Sequence, residues 1–136
     1  MPGKFSDAGD NIAIKAVVGI TPSANRFLAL CSTAPADGAL GTEIATPGTS
    51  GYTRQLVTFA NPVDSSGARE CRNDSVISVG PFTADLAAVS HVMLMDHATA
   101  ATAANMVAYA TLETTRDPAS GDLIQFAIGE LSWNNE

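Results

Sequence analysis

The feature that most constrains the fold of this chain is a series of short apolar runs that end at glycine, proline or aspartate. One run, Arg26–Ser32, stops before Pro35, and a second, Tyr52–Phe59, follows Gly51 after a long loop of small residues. β-Branched and aromatic residues favour a pleated, half-buried surface, whereas glycine, proline and aspartate interrupt it. The pattern therefore predicts short strands joined by loops, with no obvious reactive group among them.

Runs of the same kind continue toward the C-terminus, and we predict strands at Val76–Val79, Ser90–Asp96, Met106–Leu112, Leu123–Ile128 and Glu130–Trp133. In Ser90–Asp96 apolar side chains fall on both faces, which is typical of a central strand that is covered on both sides. Short strands separated by turn residues favour an antiparallel β-sandwich or a partly open barrel. We therefore predict a mainly β fold of this kind, with one short N-terminal helix, in a single domain spanning residues 1–136.

The N-terminal segment 1–19 carries the helix. Ser6 or Asp7 is placed to cap it, and Gly19 is a suitable residue for its C-terminal end. One apolar stripe is predicted along the helix from the spacing of Phe5, Ala8, Ile12 and Ala16. Two interpretations stay open: an arm that docks on a neighbouring subunit, or a helix that plugs one end of the sandwich.

The composition excludes several classes of partner. The chain has 14 acidic and 7 basic side chains and a net charge of −7, and the basic residues are scattered, so no nucleic-acid partner is predicted. No apolar run of about 20 residues exists, so no membrane span or membrane partner is predicted. The N-terminus lacks a signal-peptide pattern, and we expect Cys31 and Cys71 to be buried thiols in a reducing compartment.

The polar residues that most resemble a reactive cluster are His91, Asp96 and His97. On a strand the two histidines lie roughly 20 Å apart, too far for one metal ion unless the chain turns between them. We expect one core or interface imidazole and one turn histidine. Cys31 lies inside an apolar strand, which raises a thiol pKa and makes the thiol inert. The sequence thus predicts no catalytic, cofactor-binding or metal-binding residues, and no enzyme.

The residues predicted to contact a partner are apolar, aromatic or paired side chains next to loops, namely Phe5, Ile12, Leu40, Ile44, Tyr52, Arg54 and Trp133. Tyr52 and Arg54 have two interpretations: Tyr52 fills a pocket below the loop while Arg54 pairs with a carboxylate such as that of Glu43, or both are ordinary strand residues. Trp133 has two interpretations, because tryptophan either closes a core or anchors a binding interface. Closure of the core is favoured.

The order of these segments resembles a family of small virion proteins of tailed bacteriophages. The resemblance spans nearly the whole chain and rests on an ordered set of residues: Ala29, Leu30, Thr33, Ala34, Pro35, Thr42, Glu43, Tyr52, Arg54, Gln55, Val57, Thr58, Phe59, His91, Gly121 and Asp122. This chain departs from the pattern at Leu86, where an aromatic residue is usual, and by an insertion around Cys71. Members are labelled head-decoration or tail-fibre proteins.

The resemblance implies a structural virion protein without catalysis, assembled in the host cytoplasm. Small size, acidity and loops of small residues favour an accessory protein that decorates and stabilises the outer capsid surface. The alternative is a tail or tail-fibre subunit. A carbohydrate-binding module is a third possibility, but such sites usually need more exposed aromatic residues than this chain has. The expected partners are the major capsid protein or other virion proteins, together with further copies of the chain in a homo-oligomer.

Overall fold

The computed structural model describes residues 2–19, 25–65 and 68–134. The described elements, in chain order, are β1 (Pro2–Phe5), α1 (Asp7–Val17), β2 (Phe27–Cys31), β3 (Gln55–Leu56), β4 (Val63–Ser65), β5 (Ala68–Arg72), β6 (Ile77–Val79), β7 (Val89–Met95), a 3₁₀ turn (Ala103–Asn105), β8 (Met106–Arg116), β9 (Ile124–Phe126) and β10 (Ser132–Asn134). The predicted mainly β class with antiparallel pairing and one α-helix is confirmed. Among these residues, no helix has the length and apolar character needed to cross a membrane.

The strands form one large sheet and one small sheet. The large sheet has 8 strands in the order β3-β2-β7-β8-β1-β10-β5-β4, and the small sheet pairs β6 with β9. Strand β1 pairs antiparallel with β8 and parallel with β10, whereas the remaining pairs between named strands are antiparallel. The first strand of the chain therefore joins the two halves of the large sheet.

Strands β2 and β7 carry buried side chains on both faces, so the prediction of a doubly covered central strand is confirmed for β7. One face joins the small sheet in the larger core cluster, which includes Leu28, Leu30, Val92, Leu94, Ile77, Val79, Ile124 and Phe126. The opposite face builds a second cluster from Ala29, Cys31, Met93, Met95 and Met106. The alternation of side chains along a strand explains this division, because neighbouring residues point to opposite faces.

Several predicted boundaries were wrong. Only Gln55–Leu56 of the predicted strand Tyr52–Phe59 pairs with β2, because Tyr52 and Arg54 turn inward to bond with Glu43. The last strand is Ser132–Asn134 instead of Glu130–Trp133. Strands β1, β4 and β5 were missed. Strands β4 and β5 form a polar hairpin at the sheet edge, where charged side chains are common and the apolar alternation is absent.

The prediction of a helical segment over 1–19 was also wrong at its start, because Pro2–Phe5 form β1. Of the two predicted capping residues, Ser6 is confirmed as the one that caps α1. Its hydroxyl accepts a hydrogen bond from the Gly9 N–H at 3.1 Å. The Ser6 N–H donates to the Val107 carbonyl at 3.0 Å, and its hydroxyl donates to the Met106 carbonyl. The start of α1 is thereby fixed to β8. Gly19 follows the helix with φ +85°, as predicted for its end.

Gly9 allows α1 to approach β8 closely. A Cβ atom at this position would lie 2.0 Å from the Val107 carbonyl oxygen, inside any allowed contact distance. Glycine in a helix costs about 1 kcal/mol relative to alanine, yet here only glycine fits. The close approach places the next turns of α1 beside the sheet.

We expect Gly9→Ala to destabilise the protein by about 1–3 kcal/mol, because the helix must shift away from β8 to make room for the methyl group. Urea unfolding followed by circular dichroism measures the change. Asn11→Ala, on the exposed side of the same helix, is the matched control and should be neutral or slightly stabilising. Equal stability of both variants would contradict the close-contact role of Gly9.

Candidate interaction surface

The structure separates the predicted contact residues by burial. Ile44, Tyr52 and Arg54 are buried, with Ile44 in the larger core cluster. Leu40 is half-buried against the second core cluster. The remaining three, Phe5, Ile12 and Trp133, come from β1, α1 and β10 and line one open cleft. The cleft therefore brings together residues that lie more than a hundred positions apart in the sequence.

The buried polar group is a cluster of Glu43, Tyr52 and Arg54. The Tyr52 hydroxyl donates to Glu43 Oε2 at 2.6 Å and accepts the Leu30 N–H at 3.1 Å. Arg54 Nε donates to the same Glu43 oxygen at 3.1 Å, and Arg54 Nη2 pairs with the other oxygen. The predicted pairing of Arg54 with Glu43 is confirmed. Because the Arg54 side chain is 0% exposed and that of Glu43 is 12% exposed, solvent screens this ion pair weakly.

Arg54 also fixes the loop that follows β7. Its Nη1 donates to the carbonyls of His97 and Ala100, each at 2.9 Å. From the other side, His97 Nδ1 accepts the N–H groups of Thr99 at 3.1 Å and Ala100 at 2.9 Å. The loop 97–100 is therefore held by a guanidinium and an imidazole, while Glu43 connects the same guanidinium to the loop 36–50. We call this set of contacts the Arg54 node.

The Tyr52 hydroxyl is a neutral member of the Arg54 node. Burial raises its pKa above the usual range, and the Glu43 carboxylate adds to the shift, so the group stays protonated and can donate to Glu43. A donor that is also an acceptor suits this position, because the phenol bridges a backbone N–H and a carboxylate. The node orients two loops and presents no free nucleophile.

Removing the guanidinium should destabilise the protein strongly. We expect Arg54→Met to cost about 3–5 kcal/mol, because it leaves the Glu43 carboxylate without its cationic partner and two loop carbonyls without their donor. Hydrogen exchange should show faster exchange at Thr99 and Ala100. Arg69→Met is the matched control: Arg69 pairs with Asp64 on the surface, with side chains 58% and 80% exposed, and its loss should cost under about 1 kcal/mol. Similar costs for both variants would refute the role of the node.

The two histidines do not converge. His91 lies on β7, half-buried, with its Nδ1 2.7 Å from the Ser90 hydroxyl, whereas His97 lies in the turn after β7. His97 is the expected turn histidine. Within the described residues, no group of three or more His, Cys, Asp or Glu side chains is placed to hold a metal ion.

The two cysteines differ in environment. Cys31 is 0% exposed, and burial, together with Glu43, raises the pKa of its thiol to about 12. Cys71 lies half-buried on β5 in the wall of the cleft, so the prediction of two buried thiols holds in full only for Cys31. Burial also raises the pKa of the Cys71 thiol.

Alkylation of the native protein should therefore modify Cys71 and spare Cys31. Iodoacetamide at mildly alkaline pH followed by peptide mass spectrometry measures the extent at each site. Unfolded protein is the control, in which both thiols should react at similar rates. Rapid modification of Cys31 in the folded protein would show that β2 is not buried as described.

The open cleft lies between α1 and the large sheet. Its volume is about 350 Å³, and its walls are mainly apolar: Phe5, Gly9, Ile12, Ala13, Phe59, Pro62, Cys71, Leu94, Val107 and Trp133. Phe59 and Trp133 meet edge to face, with ring centroids 5.6 Å apart and planes at 88°. Trp133 is 5% exposed and belongs to the core, as favoured from the sequence, while also forming part of the cleft wall. We call this feature the apolar cleft.

Arginines and one amide supply the polar part of the apolar cleft, at Arg26, Arg69 and Asn134. Two of the chain's 7 basic residues thus lie here, and its described lining includes none of the 14 acidic residues. Arg69 is held by Asp64 at 2.9 Å and by the Pro62 carbonyl at 3.1 Å. The arginines at the edge of the cleft thus have acidic neighbours of their own, Asp64 for Arg69 and Asp96 for Arg26.

Sequence reasoning missed most of the cleft wall. The sequence prediction did not include Phe59, Val107 or Arg26, because nothing in the sequence distinguishes them from ordinary strand residues. A signal was present only at Gly9, since a glycine early in a helix is costly and here marks the contact with β8.

The described residues thus form a small β-rich protein with loops fixed by the Arg54 node and an open apolar cleft. This is a structural component of a tailed-phage virion, because the sequence matches, over residues 5–134, the family described as "Podophage GP4 fiber I protein gp80". The chain belongs to that family, and the resemblance seen in the sequence is confirmed. The matched range contains the Arg54 node and the described lining of the apolar cleft. No curated protein sequence matches the chain.

Proposed function

We propose that this protein is a subunit of the tail-fibre apparatus of a podophage, with a structural and not an enzymatic role. The observation that carries the proposal is the fibre family match over residues 5–134. It favours the tail position over decoration of the capsid surface, which the size and acidity of the chain alone had favoured.

The geometry supports a role in holding a shape against neighbouring virion proteins. The Arg54 node fixes two loops through buried bonds, and such loops keep their form without a ligand. The apolar cleft offers a surface that other protein chains can bind. The proposed partners are therefore other virion proteins and further copies of this chain.

Labelling of intact particles tests the position. Gold-labelled antibodies raised against the purified protein should bind at the tail, and quantitative mass spectrometry should give a low copy number set by the tail symmetry. The major capsid protein, measured in the same digest, is the internal control. Label spread over the head, with a copy number that follows the number of capsomers, would reject the fibre position in favour of capsid decoration.

A further inference from the structure

We propose that protonation of His97 releases the loop 97–100, so that this loop is a pH-sensitive part of the Arg54 node. The proposal goes beyond the structural role proposed above, because it concerns a change of conformation within a single copy of the chain. It rests on the hydrogen bonds that one exposed imidazole makes to the backbone of its own loop.

The His97 ring accepts hydrogen bonds from two backbone groups. Its Nδ1 lies 3.1 Å from the Thr99 nitrogen and 2.9 Å from the Ala100 nitrogen, and both N–H groups donate to it. Only a ring nitrogen with a free lone pair can accept such bonds, so Nδ1 carries no hydrogen and the neutral ring has its hydrogen on Nε2. Because His97 is exposed, a proton from the solvent can reach the ring.

Protonation of the ring and the two backbone bonds exclude each other. The proton adds to the lone pair of Nδ1, both ring nitrogens become donors, and the N–H groups of Thr99 and Ala100 lose their acceptor. The Thr99 hydroxyl, 3.5 Å from Nδ1, is an acceptor within reach of the new N–H. The loop therefore has two hydrogen-bonding arrangements, one for each protonation state of His97.

Arg54 limits the change to the loop. Its Nη1 donates to the carbonyls of His97 and Ala100, and these bonds do not involve the imidazole ring. Ala100 thus bonds to Arg54 through its carbonyl and to His97 through its N–H, and protonation removes only the second bond. Because Arg54 also stays paired with Glu43, we expect the loop to open locally while the sheet stays folded.

The charged groups on the surrounding elements do not bond to the ring within the described residues. They are Arg54, Glu43, Asp96, Arg26, Asp7, Asp37 and Lys15. The nearest carboxylate along the chain, that of Asp96, accepts the Asn105 side-chain amide at 2.8 Å. A variant that changes only the imidazole keeps all of these groups and so separates their effect from that of His97.

Hydrogen exchange of the two loop amides tests the proposal. The protection factors of Thr99 and Ala100, measured by NMR relative to an unfolded chain at the same pH, should fall at least about 10-fold between about pH 8 and pH 5, because two hydrogen bonds are lost where histidine titrates. The amides within β7 and β8 should keep their protection in the same samples. Constant protection of Thr99 and Ala100 across this range would overturn the inference.

Two variants assign the pH dependence to one residue. In His97→Asn the side-chain oxygen can accept the same backbone N–H groups and does not titrate, so the fall in protection should disappear. His91→Gln removes the other of the two histidines and should leave the fall unchanged. A fall of equal size in His97→Asn, or its loss in His91→Gln, would overturn the inference.

The hydrogen on the ring can also be located directly. A ¹⁵N NMR spectrum of the His97 imidazole at about pH 8 should show Nδ1 without a hydrogen and Nε2 with one, since only this form accepts the two backbone bonds. A hydrogen on Nδ1 at this pH would contradict the proposed arrangement.

Discussion

The pairing of β1 with two strands is the constraint on which the rest of the structure depends. Its Lys4–Phe5 half pairs with β8 and its Pro2–Gly3 half with β10, so four residues connect the two parts of the large sheet. Ser6 then bonds to the backbone of β8, and Gly9 allows α1 to lie against it. The position of α1 creates the apolar cleft, because the helix forms one wall and β10 supplies Trp133 for another.

The Arg54 node has a different physical basis from the cleft. A buried guanidinium is costly unless each of its donors finds an acceptor, and here Glu43 and two loop carbonyls take that role. The same requirement fixes the loops, since a shift of either would leave a buried charge without partners. The buried polar contacts thus fix two loops, whereas the apolar cleft lies open at the surface.

The sequence predicted the mainly β class, the helix cap, the doubly covered β7 and the Arg54–Glu43 pair. These depend on local patterns: alternation along a strand, a capping serine before a helix, and an arginine with a nearby carboxylate. Prediction from the sequence failed where the structure of a segment depends on the strands with which it pairs. Pro2–Phe5 has no strand pattern and becomes a strand because β8 and β10 offer hydrogen bonds on both sides, and β4 and β5 pair through polar residues at an edge.

The sequence by itself determined which residues are apolar, where the chain turns and which family the protein belongs to. Only the tertiary structure decided which of the predicted contact residues meet. Ile44, Tyr52 and Arg54 are buried, whereas Phe5, Ile12 and Trp133 converge on the cleft from opposite ends of the chain. The physical reason is that burial and sheet order depend on long-range strand pairing, and one local pattern is compatible with many such pairings.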